Sequence, residues 1–329
     1  MNRRNWLRHV TKLVVGMLAA TPLAALAALR VIGVLSTLPP LPAPEQRALE
    51  GVSELLAQYG WVEGRDFAVE RRYAGDDTER LRRYAKELVL RQPDLILCIG
   101  TQAVIAAKEA TTSIPIVMFM VGDPVATGLV ESLSRPGANV TGLSSIFPEL
   151  YAKRAAMLKE LLPSIRRVGV LVHPGNPLFE VQRTQHEAAF RRFGIATIYG
   201  EVGSADDIVL AVERLARQHT EALVVLADPL LNMNAVVIVG AATTEHLPVI
   251  GSGDEIIDAG GVMSFEPSFR EQQIRMNEIV DKILRGAKPA DIPVQQPATF
   301  ELVLNAKSAR ALGLEIPLSL LVRASRVVR

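Results

Sequence analysis

Several short polar clusters stand directly behind apolar runs, the arrangement small-molecule binding requires. Gly100-Thr101-Gln102 follows the run Leu95 to Ile99 and opens an Ala-rich helical segment. Free backbone N–H groups and the helix dipole at such a start favour an anion such as a carboxylate. Thr101 also suits a plain helix cap. Gly122-Asp123-Pro124 follows the next run, Ile116 to Val121, so Asp123 either meets a ligand with the opposite charge or initiates the Asp-Pro turn. Asp228-Pro229 repeats that context further along, and Asp228 is the residue best suited to hold an α-ammonium group through a charge-assisted hydrogen bond. Ser36 and Thr37, Asn176, and Asp254-Glu255 end other apolar runs and complete the candidate ligand-binding set. His173 lies in a loop, and no other histidine completes a triad or a metal spacing with it. No catalytic residue, cofactor or metal site is expected.

The elements that position these residues alternate in type. Arg30 to Leu35 is a strand, Glu45 to Tyr59 a helix, Phe67 to Arg71 a strand, Asp77 to Leu90 a helix, and the two runs around Gly100 form a βαβ unit. Short apolar runs bounded by Pro and Gly suit parallel strands buried on both faces. After Ala152 the alternation starts again: a helix to Leu162, the strand Arg167 to Leu171, a helix through Phe190, the strand Ala196 to Tyr199, the helix Ala205 to Gln218, and the strands Ala222 to Leu226 and Pro248 to Ile250. The architecture predicted is α/β, with two doubly wound Rossmann-like lobes.

The halves correspond in order. Arg30-Val-Ile-Gly-Val-Leu recurs as Arg167-Val-Gly-Val-Leu, Tyr59-Gly60 as Phe193-Gly194, Asp94-Leu-Ile-Leu as Ala222-Leu-Val-Val, Ile114-Pro115 as Leu247-Pro248 and Gly122-Asp123 as Gly253-Asp254, each about 130 residues on. An internal duplication follows. Two such lobes leave a cleft between the carboxyl edges of their sheets, where open α/β sheets bind ligands. Thr141, Gly142, Ser144 and Ser145 are expected to form the hinge. Residues 28–143 are assigned to the first lobe, completed by about 267–297, and residues 144–266 to the second, completed by about 298–329.

Composition narrows the class. The chain has 329 residues, 49% of them hydrophobic, and a net charge of +1, which leaves no basic footprint for nucleic acid. Residues 1–27 combine a basic start (Arg3, Arg4, Arg8, Lys12), an apolar stretch broken by Pro22, and the small-x-small end Ala25-Leu26-Ala27. This pattern predicts an export signal, favouring the Sec over the Tat route and cleavage over retention as an anchor, and a periplasmic or extracytoplasmic protein. The single cysteine, Cys98, falls inside an apolar strand and predicts a small buried hydrophobe rather than a disulfide partner.

A set of motifs carries a family resemblance: Tyr59-Gly-Trp-Val-Glu-Gly-Arg-Asp-Phe67, Gly100-Thr101, Gly122-Asp-Pro-Val125, Arg135-Pro-Gly-Ala-Asn-Val-Thr-Gly-Leu143, Asn176-Pro177, Asp228-Pro229, Ala259-Gly-Gly261, Val280-Asp-Lys-Ile-Leu-Arg-Gly-Ala-Lys-Pro-Ala-Asp291 and Phe300-Glu-Leu-Val303. Together they resemble the ABC-transporter substrate-binding proteins that include the tryptophan- and tyrosine-binding proteins. The resemblance implies a type I periplasmic-binding-protein fold that closes on a small solute, an amino acid first among them. It also implies delivery to a membrane permease driven by a separate ATPase. Two rivals stand beside it: an exported enzyme with two Rossmann-like domains, and a ligand-sensing partner of a receptor. Against the enzyme, the sequence has neither a Gly-x-Gly-x-x-Gly turn after the first strand nor a phosphate-binding Gly-x-x-x-x-Gly-Lys-Ser/Thr loop.

Overall fold

The computed structural model describes residues 29–40, 42, 49–75, 77–144, 148–176 and 179–329. The export signal, the start of the helix predicted from Glu45, and Ser145 lie outside them. The first half forms β1 (Arg30–Ser36), α1 (Val52–Ala57), β2 (Phe67–Tyr73), α2 (Thr78–Leu90), β3 (Leu95–Ile99), α3 (Thr101–Ala110), β4 (Ile116–Val121) and β5 (Val140–Ser144). Its five strands lie side by side in the order β2-β1-β3-β4-β5, all parallel. The second half continues with α4 (Pro148–Leu161), β6 (Arg167–Val172), α5 (Phe179–Arg191), β7 (Ala196–Glu201), α6 (Ile208–Arg217), β8 (Leu223–Val225), α7 (Pro229–Met233), α8 (Ala235–Thr244), β9 (Val249–Gly251), α9 (Asp254–Asp258) and β10 (Met263–Pro267). The remainder is α10 (Phe269–Leu284), β11 (Phe300–Asn305), α11 (Ala306–Ala311), α12 (Leu318–Arg323) and β12 (Arg326–Val328).

The second sheet runs β12-β11-β10-β9-β8-β6-β7, so its strands β7-β6-β8-β9-β10 repeat the order of the first sheet. The duplication therefore extends from sequence to topology. Gly33 and Gly169, the matched glycines of β1 and β6, serve the same end. A Cβ at Gly33 would meet Leu88 of α2 at 3.4 Å, and one at Gly169 would meet Leu215 of α6 at 3.0 Å. In both lobes the absent side chain lets a helix leucine come down onto the central strand.

Each sheet is buried on both faces by apolar helix stripes, as its continuous hydrophobic strands require. Leu81, Ala85 and Leu88 of α2 join Ala103 and Val104 of α3 on one face of the first sheet. The other face is covered by Val52 and Leu56 of α1 and by Met276, Ile279, Val280 and Ile283 of α10. The helix following β10 of the second sheet thus covers the first sheet. Reciprocally, α4 follows β5 of the first sheet and covers the second with Tyr151, Ala155, Leu158 and Leu161. The chain leaves each sheet from the carboxyl end of its fifth strand to reach the other.

A third crossing closes the molecule. After α10, Thr141 Oγ1 donates to Ile292 O at 2.7 Å, and residues 294–295 run beside β5 through Val294 N–H to Leu133 O and Gln295 N–H to Gly142 O. The chain then enters the second sheet as β11, antiparallel to β10, with β12 parallel beyond it.

One expectation needs correction, and some elements went unpredicted. The segment 141–144, assigned to a hinge from its Gly and Ser content, is a buried strand at the edge of the first sheet, and the crossing begins only after it. Residues 229–233 and 235–244, between the predicted strands ending at Leu226 and beginning at Pro248, form helices α7 and α8. Residues 263–267 add β10, and the tail after Pro317 forms α12 and β12.

Candidate ligand-binding cleft

At the carboxyl edge of the first sheet, three predicted residues meet. Thr37 donates to Ile99 O through its hydroxyl at 3.4 Å and its backbone N–H at 3.2 Å, joining the end of β1 to the end of β3. Ser36 is buried beside it and accepts from Leu38 N–H at 3.1 Å. Gly100, with φ 94°, opens α3 with no side-chain cap, so the first N–H groups of that helix have no side-chain acceptor at the cap. The glycine is required: a Cβ here would stand 2.6 Å from Thr37 Oγ1. Thr101 is buried, and its Oγ1 accepts from Gly122 N–H at 3.3 Å, while Ser144 Oγ donates to Gly122 O at 3.1 Å. The loop after β4 is therefore clamped from both neighbouring strand ends. Gln102 is half-buried on the first turn of α3.

The Asp123 carboxylate is engaged locally. It accepts from Val125 N–H at 3.0 Å and Ala126 N–H at 2.9 Å, the turn-forming alternative raised by its Asp-Pro context.

On the second sheet Asp228 ends the segment after β8, where it is 5% exposed and caps α7 by accepting from Leu230 N–H at 2.8 Å. Its other oxygen accepts from Asn176 Nδ2 at 2.9 Å and lies 3.3 Å from His173 Nδ1. Asp228, Asn176 and His173 thus converge from two strand ends. A carboxylate offers roughly four acceptor positions, and these three contacts leave one. Asp254 and Glu255 are exposed; Asp254 pairs with Arg326 of β12, so that charge is directed along the sheet edge.

Arg154 was not foreseen. It is 3% exposed, and its Nε donates to Phe265 O at 2.8 Å and its Nη2 to Ser252 Oγ at 2.6 Å, tying α4 to the carboxyl ends of β9 and β10. No carboxylate lies within 4.0 Å of it among the described residues. Burial lowers its pKa, and burial likewise pushes the half-buried Glu266 carboxyl up to about 7, with Arg154 pulling it down and Glu255 and Asp254 pushing it further up. Its position between Tyr151 and Leu158, on the apolar stripe of α4, was the available signal. His186 is fully buried, its ring 4.1 Å from that of Phe190. Burial pushes the Cys98 thiol well up, in keeping with a small inert hydrophobe.

No group of three His, Cys, Asp or Glu residues placed to hold a metal occurs among the described residues, and none of their helices is long and apolar enough to cross a membrane. Two surface cavities, of about 470 and 350 Å³, lie away from these edges, one against Ala306 to Leu321 and the other against Glu187 to Thr197.

Residues 42–328 match the family model described as ABC transporter substrate binding protein. The chain belongs to this family. A Clostridioides difficile relative called Tyrosine-binding protein is 24% identical over 269 residues, covering 82% of this chain and 77% of the relative. The crystal structure of the ABC domain in complex with L-Trp from Streptococcus pneumonia superposes with a TM-score of 0.84 at 26% identity, covering 92% of this chain and all of that one. A conserved domain protein from Vibrio cholerae superposes equally well, at 26% identity over 91% of this chain and 99% of its own. The two lobes are those of the type I periplasmic-binding-protein fold, and the substrate-binding protein is a solute binder rather than an enzyme.

Proposed function

We propose that this substrate-binding protein captures an amino acid with an apolar side chain outside the cytoplasm and hands it to the permease of an ABC importer. What supports the reading is that the two carboxyl edges carry opposite chemistry, donors on the first sheet and an anchored acceptor on the second. The uncapped start of α3 beside Thr101 offers donors suited to an α-carboxylate, and the hydroxyl of Thr101 keeps its own proton to donate. Asp228, pinned by Leu230, Asn176 and His173, offers an anchored acceptor suited to an α-ammonium group. The L-Trp complex of the Streptococcus relative supports the ligand class, and the basic-apolar-small pattern of residues 1–27 supports export. Ser36, Thr37, Gln102 and Asn176 would line the same cleft, with Asp123, Asp254 and Glu255 at its rim. Flexing at the three crossings would close the lobes, to the extent that ligand contacts favour the closed state.

The test is a titration of the mature protein with L-tryptophan, L-tyrosine, L-leucine and L-alanine, followed by calorimetry and by the melting temperature, alongside tryptamine and indole-3-propionate. A tight ligand raises the melting temperature by mass action. Asp228→Asn keeps an oxygen to cap α7 but removes the charge, so affinity for the amino acid falls while that for indole-3-propionate does not. A protein indifferent to every amino acid refutes the assignment.

A further inference from the structure

Four non-glycine residues among those described have a positive φ: Gln92, Met120, His219 and His246. Three of them immediately follow the C-caps of α2, α6 and α8, where a left-handed residue is the ordinary way to end a helix. Met120, at φ 54°, is different: it lies inside β4. The cause is an extra residue in the strand. Met118 pairs with Gly142 and Val121 with Ser144, so three steps on β4 oppose two on β5. That is a β-bulge, a device that re-aims a side chain and is frequent beside functional sites.

The re-aiming is visible in the core. Val117 and Phe119 point to the face covered by α1 and α10, and Ile116 and Met118 to the face covered by α2 and α3. Regular alternation would bury Met120 with Met118 and put Val121 on the opposite face. Instead Val121 takes the place beside Met118, and Met120 turns outward to 40% exposure between fully buried neighbours. The backbone makes room at Gly142, where φ is 136° and a Cβ would collide with the carbonyl oxygen and nitrogen of Met118. The exposed thioether stands at the carboxyl edge, two residues before the Gly122 that Thr101 and Ser144 clamp. Beside it, the ring of Phe119 lies 5.8 Å from that of Phe269, which is 38% exposed and begins α10 directly after the chain crosses from the second lobe.

We propose that Met120, with Phe269, is the seat for the apolar side chain of the ligand and determines which side chains are accepted. The inference rests on the amino-acid reading above. A left-handed non-glycine residue in a strand is unfavourable, and holding a flexible, polarizable side chain out at a binding edge gives that strain a use.

Two variants of the full mature protein separate contact from strain. Met120→Gly removes the side chain and the backbone penalty together, whereas Met120→Ala removes the side chain alone. Each is titrated with L-tryptophan, L-leucine, L-alanine and indole. Both should bind L-tryptophan and indole about tenfold or more weaker, the loss expected for a buried apolar side chain. Affinity for L-alanine should change by less than about twofold. The unliganded Met120→Gly protein should melt no lower than wild type, which shows that the loss is not one of folding. Unchanged affinity of both variants for every ligand the wild type binds overturns the role of Met120 and leaves the amino-acid reading standing. A wild type that binds indole but no amino acid, with indole lost in both variants, overturns the amino-acid reading and supports Met120. A wild type that binds none of the four overturns both.

Discussion

Acid should weaken this protein through one buried ring. His186 on α5 is fully buried, stacked on Phe190 and edge-on to Tyr151 at 5.5 Å, and neither ring nitrogen has a hydrogen-bond partner among the described residues. Burial first, and the nearby Arg154 charge second, lower its pKa to about 3. In the unfolded chain the imidazole titrates near 6.5. Above that pH both states are neutral and the group contributes nothing. Between about 6.5 and 3 the unfolded chain holds a proton that the native ring refuses, so each pH unit removes about 1.4 kcal/mol of stability. The loss reaches about 3 kcal/mol at pH 4.5 and about 5 kcal/mol near pH 3. The assay is urea unfolding followed by circular dichroism, for wild type and His186→Phe, at pH 7.5, 6.0 and 4.5. The phenyl ring preserves the stacking and removes the titration, and the carboxylates common to both proteins cancel in the difference. At pH 7.5 the variant should be at least as stable, because two unpartnered buried nitrogens disappear. At pH 4.5 its advantage should have grown by about 3 kcal/mol. A difference between the two proteins that is the same at pH 7.5 and 4.5 would refute the reasoning.

Glu266 works in the opposite direction: its folded pKa is raised to about 7, so its contribution is intact below about 4.5 and is lost as pH rises through 7, by up to about 3 kcal/mol. Glu266→Gln should flatten that alkaline decline in the same urea series. Glu50 is fully buried, its two oxygens share the single N–H of Arg71 Nε at 3.0 Å, and it accepts from Arg71 Nη2 at 2.8 Å and from the Tyr73 hydroxyl at 2.9 Å. Glu50→Ala should therefore lower unfolding stability by about 3 kcal/mol or more, and Glu50→Met with Arg71→Met should recover most of it. Gly142→Ala would drive a methyl into the backbone of Met118, so it should destabilise the first lobe more than Gly240→Ala, where no atom lies within 4 Å, and thermal melts of the two variants compare them directly.

Much of the architecture is written locally. The match of Gly33 with Gly169 and of Asp94-Leu-Ile-Leu with Ala222-Leu-Val-Val is visible because every copy of the unit needs a continuous apolar strand and a gap for a helix leucine. Those demands act over a few residues. The helix Ala235–Thr244 escaped because its Val-Val-Ile-Val run is apolar on every side and carries no helical period. β5 escaped because Thr-Gly-Leu-Ser has the composition of a bend, and Gly142 is there for a collision with a strand distant in sequence.

The polar edges were half legible. Thr101 and Asp228 could be singled out because strand ends and helix starts announce themselves through Gly, Pro and Asp. Their partners could not. That Thr101 clamps Gly122, that His173 and Asn176 converge on Asp228, and that Arg154 lies buried against Ser252 and Phe265 all depend on contacts across 21 to 111 residues of chain. The sequence by itself determined that two copies of one α/β unit exist and which loops end their strands, since propensity and hydrophobic period are short-range properties. Tertiary structure alone decided which charges are buried and which side chain the bulge turns outward. Burial and register are set by whichever strand or helix happens to be alongside.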